Sequence, residues 1–378
     1  MRTDGECKGR SGPVNESLRF VRPGRGPDTS GYDGTMPPPS PPPAPPPPPA
    51  PSSGGVLAAG LFIVDAVKTI DRWPEQDALA LVQSRTLSNG GGAYNVLKNI
   101  ARLDPSIPRL AAGRIGDDDL GDWIRSDCDA AGIDRSRLVS GPAGTSYTDV
   151  MSVRSTGRRT FFHFAGENAH FDGVPDGLGG VAADTFYLGY VGLLPKLDRL
   201  DGESTGASRL LDAARAAGLR AVVDCVSVDR PDFAEIAVPS LRAADLFLCN
   251  EFEASRILGQ PVHNGGLPIA HAAEALQQVG GGIVALHTPD GAVATDGDET
   301  AFRASVRMSD DAVEGTNGAG DAFAAGFLIA LRRGQPLDEC LLLGVCAAAM
   351  SLTDPTPSGG LRTTDECLAL GERNGFRA

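Results

Sequence analysis

Asp321 stands at the end of the run Gly315-Thr316-Asn317-Gly318-Ala319-Gly320, directly ahead of a helical pattern that places Phe323, Phe327, Leu328 and Leu331 on one face and closes at Gly334. Two glycines around Ala319 allow the backbone to approach a ligand closely. Unpaired N–H groups and the helix dipole at such a turn favour an anion. A carboxylate at that place cannot itself bind an anion, so Asp321 suits a base working beside one. Two other readings compete. Asp commonly caps helices, and Gly318-x-Gly320 looks like the start of a dinucleotide fingerprint. That fingerprint belongs after the first strand of a βαβ unit, whereas this turn lies near the C-terminus and precedes two consecutive helices. The chain also lacks the phosphate loop G-x-x-x-x-G-K-S/T. A second pair, Asn250 and Glu253, stands one helical turn apart at the end of an apolar run, and on its own reads as a helix cap with a capping box.

These groups need a scaffold. Apolar runs at 56–65, 108–116, 184–191, 220–226, 245–250 and 283–288 read as strands, and helical patterns occupy 116–132, 206–218, 251–259 and 268–280. Regular alternation of strand and helix predicts a mostly parallel sheet with helices on both faces. Residues 145–165 alternate around Ser155-Thr156-Gly157 and predict a β-hairpin with one exposed face. Residues 321–333 and 337–352 read as two helices, the second apolar throughout and therefore buried. Phe161, Phe162 and Phe164 suit either a core or a pairing surface.

Composition narrows the function classes. Of 378 residues, 1–55 hold a nearly unbroken proline run after a Gly- and Arg-rich stretch, which reads as a disordered tail and stiff linker. Residues 56–378 suffice for one large α/β domain. A formal charge of −14 argues against a nucleic-acid or anionic-membrane partner. Seven scattered cysteines without C-x-x-C point to free thiols in a reducing compartment, hence a cytoplasmic protein. The five histidines show no metal-ligand spacing and read as structural.

Five segments in order resemble the PfkB/ribokinase family of carbohydrate kinases. Thr316 to Asp321 resembles its C-terminal signature. Asn89-Gly90-Gly91-Gly92-Ala93-Tyr94-Asn95 resembles its Gly-Gly-x-x-x-Asn segment, Arg114 to Asp118 its Gly-x-Asp-Asp stretch, and Asn250 to Glu253 its Asn-x-x-Glu motif. Gly60 to Asp65, followed by Pro74, resembles its opening strand. The resemblance implies a ribokinase-like α/β fold with a small β-sheet lid, formed by about 66–88 and 146–165. It implies phosphoryl transfer from ATP to a hydroxymethyl group of a sugar-like acceptor, with a ribonucleoside as the alternative substrate. A catalytically silent sugar- or nucleotide-binding regulator is the alternative function.

By the same resemblance Asp321 is the base, and the N–H groups of Gly318, Ala319 and Gly320 form the anion hole. Asp65, Gly90, Gly91 and Asn95 line the sugar pocket. Thr316, Asn317, Thr288 and Gly291 contact the nucleotide, and Asn250 and Glu253 hold Mg2+ through water and the phosphates. Lids of this family often pair, which implies a homodimer. Three positions depart from the pattern. Gly315 replaces the signature's first Asp and puts potassium activation in question, with Glu314 next to it. The nucleotide block 286–291 keeps only its last glycine and carries Pro289. Glu167 adds an acid at the segment Gly166-Glu167-Asn168. Arg158 and Arg159, just past the hairpin turn, are candidates to reach a phosphate on the substrate.

Overall fold

The computed structural model describes residues 54–156 and 158–377, so the proline-rich segment lies outside the described residues. The first strand, β1 (Gly55–Gly60), starts at the last residue of the expected linker, one before the expected start of the domain. The sequence predicts one strand over 56–65; the structure has two. The chain turns at Gly60, whose φ is 122°, and β2 (Ile63–Ile70) enters a different sheet. Both sides of the bend are buried, so the apolar run continues through it and carries no sign of a break.

After β2 come β3 (Val82–Gly90), α1 (Gly92–Leu103), β4 (Arg109–Gly116), α2 (Asp119–Ala130), β5 (Asp134–Gly141), β6 (Tyr147–Val153) and β7 (Arg159–Phe164). The middle of the chain forms β8 (Ala183–Val191), the short pair β9 (Leu200–Asp201) and β10 (Ser204–Thr205), α3 (Gly206–Ala216), β11 (Arg220–Cys225) and α4 (Phe233–Ala243). It continues through β12 (Leu246–Asn250), α5 (Glu251–Leu258), α6 (Ile269–Gly280) and β13 (Ile283–His287). The last part holds β14 (Gly291–Thr295), β15 (Thr300–Ala304), α7 (Ala319–Arg332), α8 (Leu337–Ser351) and α9 (Thr364–Asn374).

The large sheet runs β15-β14-β13-β12-β11-β8-β1-β4-β5. From β13 to β5 neighbouring strands are parallel, and β14 and β15 extend the edge antiparallel. Alternate side chains of β1 serve two cores. Val56 and Ala58 pack with α1, α7 and α8, whereas Leu57 and Ala59 pack with residues of α3, α4 and α6. That double burial is why the central strands read as unbroken apolar runs.

The second sheet has the order β3-β2-β6-β7. Asp65 pairs with Ser88 and Thr148, and Thr148 with His163, so these four share one face. Phe161 and Arg159 lie two and four residues along β7 and therefore share that face too. Phe162 and Phe164 point the opposite way, Phe162 stacking on Trp73 with ring centroids 6.2 Å apart. The three phenylalanines thus divide between the two faces of the sheet.

Helix α7 is buried along almost its whole length and packs on α1 and α8. Its N-terminus is consequently fixed by the core. Phe327, wholly buried, is the test of that anchoring. Phe327→Ala is expected to cost about 3–5 kcal/mol, read as a lowered midpoint in denaturant unfolding with little change of slope.

Candidate active site

The carboxyl ends of β1, β8, β12 and β13 and the N-terminus of α7 converge, the usual place for a ligand in an open α/β sheet. Gly318 caps α7 with φ 79° and lies against Pro357, where a β-carbon would come within 2.6 Å of the proline Cβ. Glycine is therefore required on two counts. The first N–H groups of α7 have no partner within the helix and sit at this turn, with Asp321 in its first turn.

Asp321 is 5 % exposed. The Tyr190 hydroxyl donates to its Oδ1 at 2.6 Å, and Asn95 Nδ2 donates to its Oδ2 at 2.8 Å. Burial raises its pKa to about 6, while both hydrogen bonds pull it back down. Asn95 is itself held by Asn89, whose Nδ2 donates to Asn95 Oδ1 at 2.7 Å and to Ser358 Oγ at 2.9 Å. The sequence reading assigns Asn95 to the sugar pocket; in the structure its amide touches Asp321 directly.

Asp65 reaches the same space from β2. Asn317 Nδ2 lies 3.4 Å from its Oδ2. Burial raises its pKa to about 7, opposed by the bonds from Asn317 and Thr148 and reinforced by the charge of Asp321. Gly90 leaves room for this carboxylate, because a β-carbon there would lie 2.4 Å from Asp65 Oδ1. Gly91 caps the N-terminus of α1, and Gly92 gives space to the Tyr190 ring, 2.6 Å from where its β-carbon would be.

Asn250 and Glu253 form a complete capping box on α5. Asn250 Oδ1 accepts from Glu253 N at 3.0 Å, and Glu253 Oε2 accepts from Asn250 N at 2.9 Å. Glu253 Oε1 also accepts from Ser227 Oγ at 2.9 Å. Burial raises the Glu253 pKa to about 7 despite these bonds. The pair's oxygens are thus already engaged. Among the described residues no group of three or more His, Cys, Asp or Glu side chains is placed to hold a metal directly. This donor set fits a Mg2+ that keeps its waters and takes its direct ligands from phosphates.

Thr288 and Gly291 close the turn between β13 and β14, Thr288 N donating to Gly291 O at 2.8 Å. Thr316 and Asn317 line a cavity of about 450 Å³ with Arg159, Phe161, Val313, Glu314 and Gly315. Glu167 is buried rather than open to the cleft: Arg114 Nε donates to it at 2.8 Å, as does Ala143 N.

Three residues at the site escape the sequence reading. Tyr190 lies within the expected strand 184–191, yet nothing marks an aromatic as a partner of Asp321. Asp224 ends the apolar run of β11 as an acid, the one signal that could have found it. It is buried, receives the Tyr187 hydroxyl at 3.0 Å, and its pKa is raised well above normal by burial and by Glu253 and Asp321. His287, read as structural, lies against Gly320, its Cε1 3.3 Å from where a β-carbon would stand. Burial lowers its pKa to about 4, so it is neutral.

Comparison with known proteins gives a consistent result. A family model described as pfkB family carbohydrate kinase matches residues 55–364. An ATP-dependent ribose-1-phosphate kinase of Halopiger xanaduensis is 28 % identical over 277 residues, covering 72 % of this chain and 83 % of the relative. A ribokinase of Arabidopsis thaliana is 26 % identical over 303 residues, covering 78 % and 75 %. The solved Arabidopsis thaliana ribokinase complexed with ribose and ATP superposes with a TM-score of 0.70 at 21 % identity, covering 84 % of this chain and 99 % of that one.

The buried acids carry a thermodynamic consequence. Asp321 has a folded pKa of about 6 against an ordinary value of 3.8. The folded state therefore favours its protonated form. Its burial penalty is absent below the unfolded value, grows as pH rises through the window between the two, and is complete above about 6. By linkage that penalty is roughly 3 kcal/mol. Asp321→Asn removes the charge and keeps both contacts, since the amide oxygen accepts from Asn95 and the amide nitrogen donates to the Tyr190 oxygen. The variant is expected to melt several degrees higher at pH 7.5, with the gain fading below pH 4 in thermal denaturation.

Proposed function

The chain belongs to the pfkB family of carbohydrate kinases, phosphotransferases with an alcohol acceptor, and from that premise we propose that it moves the γ-phosphoryl group of ATP onto a hydroxymethyl group of a sugar-like acceptor. The observation that carries this reading is Asp321. One buried carboxylate sits at the N–H groups of a helix turn, is oriented by two donors, and faces a second carboxylate, Asp65, from the small sheet.

In this reading Asp65 and Asn317 grip acceptor hydroxyls, with Gly90 and Gly91 letting the chain pass close beneath. Carboxylate and amide together offer the acceptors and donors that hydroxyl-rich molecules need. The attacking hydroxyl gives its proton to Asp321 as its oxygen bonds to phosphorus, and the bond from phosphorus to the departing ADP oxygen breaks. N–H groups of Gly318, Ala319 and Gly320 receive the charge on the moving phosphoryl group. Asn250 and Glu253 would hold hydrated Mg2+ against the phosphates, where the ion supplies charge neutralisation. Thr288, Gly291 and Thr316 would border the nucleotide, an assignment supported by the position of His287 beside Gly320. The four-stranded sheet would act as a lid, keeping water from taking the phosphoryl group.

Tyr190 and Asn95 are positioning residues here. Each holds one oxygen of Asp321, so the base has a fixed direction and a pKa kept from rising further.

The decisive experiment measures ATP consumption with Mg2+ against a panel of sugars, sugar phosphates and nucleosides, with and without potassium. Turnover of one acceptor class is expected, with Asp321→Asn lowering kcat by at least 10². Retained turnover in that variant would remove Asp321 from its role. Thermal protection by panel members without any wild-type turnover would favour a binding protein. Because the base must be ionised, kcat/KM should rise with pH through about 6. Tyr190→Phe removes a bond that lowers the base's pKa, so its rising limb should move toward neutral pH; an unmoved limb would leave Tyr190 a packing residue only.

A further inference from the structure

The hairpin strand β7 brings one cation to the segment 314–317 that leads into the Gly318–Gly320 turn. Arg159 lies on the same face of the small sheet as Asp65, four residues from His163 in the row Asp65, Thr148, His163. Its guanidinium Nη2 stands 3.2 Å from where a β-carbon on Gly315 would be. It lines the cavity of about 450 Å³ with Glu314, Thr316 and Asn317, and is the one basic residue in that lining. Among the described residues its guanidinium has no hydrogen-bond or ion-pair partner. Other partly buried arginines are paired, as Arg114 is with Glu167 and Arg230 with Asp232 and Asp198. The same small residue that departs from the family signature, Gly315, leaves the guanidinium room against the backbone. Any longer side chain would meet Pro355 and Asp354 on one side and Arg159 on the other.

Electrostatics gives this cation a task. Four buried acids, Asp65, Asp224, Glu253 and Asp321, interact with one another around the site, in a chain of net charge −14. An incoming triphosphate adds further negative charge. A fork of N–H donors that stays charged is suited to phosphate oxygens.

Resting on the kinase reading, we propose that Arg159 is a catalytic residue, a lid-borne guanidinium that binds an oxygen of the phosphoryl group as it moves at the Gly318–Gly320 turn. The acceptor oxygen forms its bond to phosphorus, the bond to the ADP oxygen breaks, and the proton goes to Asp321. Arg159 exchanges no proton and stays charged throughout. Closing of the small sheet thereby couples exclusion of water to delivery of charge. A phosphate carried by the acceptor would offer the same oxygens, but Arg159 adjoins the segment leading into the anion-binding turn, which favours the transferred group.

The test compares Arg159→Ala and Arg159→Lys with the wild type on a neutral sugar and on its phosphorylated counterpart. Alongside, Mg2+-dependent binding of ADP and of the non-hydrolysable imido analogue of ATP is measured by calorimetry, which needs no turnover. Arg159→Ala should lose about 10²–10³ in kcat on both acceptors, with the acceptor KM little changed. Lysine should restore part of the rate. Binding of the imido analogue should weaken about tenfold or more, while ADP binding holds. Unchanged kcat on the neutral sugar, or a loss confined to KM for the phosphorylated one, would overturn the assignment. A wild type that consumes no ATP with any acceptor would instead count against the kinase reading. In that case Arg159 stands or falls on whether the imido analogue and ADP respond differently to the substitution.

Discussion

A carboxylate buried at the N-terminus of a buried helix is the constraint around which this molecule is arranged. Ionised Asp321 is costly there, since burial pushes its pKa up to about 6, and only the donors on each oxygen keep that pKa from rising further. Those donors come from distant parts of the chain: Tyr190 from the end of β8 and Asn95 from the first turn of α1. Bringing them together demands that β8, α1 and α7 be fixed relative to one another. The core does this: α1 packs on α7, β1 and β8, and Tyr94, Phe323 and Phe327 fill the space between. Stability lost to the buried charge is offset by apolar burial beneath it.

The same constraint accounts for the glycines around the site. A carboxylate gripped on both sides needs backbone to approach it, and side chains would intervene. Gly90 clears Asp65, Gly92 clears Tyr190, and Gly318 clears Pro357. In each case the β-carbon that is missing would overlap a group that belongs to the site or its wall. Glycine spacing in the 89–95 and 315–321 segments is therefore a record of close contacts more than of flexibility.

Much of this was legible in the sequence, and the reasons differ by element. Central strands are buried on both faces, so they read as apolar runs between helical patterns, and the fold class followed from their alternation. The Asp321 turn was legible because glycine, carboxylate and helix start coincide within six residues. The bend at Gly60 was not, since both its sides are equally apolar. Nor was α4, whose interior Pro239 argues against a helix, or α9, whose Thr363 and Glu366 capping box was present but not preceded by a strong apolar pattern. Tyr190, and Asp224 apart from its place as an acid at the end of an apolar run, were missed for a different reason. Their importance lies in partners far along the chain, Asp321 for Tyr190 and the Tyr187 hydroxyl for Asp224, and no local spacing encodes that.

Asn250 and Glu253 show how a local reading and a functional one coexist. The capping box alone explains both residues, and in the structure each of their side-chain oxygens is engaged by the box, by the other residue's side chain or by Ser227. Yet the box leaves a buried carboxylate with a pKa of about 7 beside Asp224, itself coupled to Asp321, a clustering of like charge that capping alone does not require. Exposed acids would have capped α5 as well, at lower cost. The burial of this cap where the strand ends converge makes sense when cations are part of the working state. A hydrated divalent ion would neutralise the Glu253 side of the cluster, and the guanidinium of Arg159 the side of the anion-binding turn. On the kinase reading the acids would set the field that draws cations in, with phosphate oxygens following them.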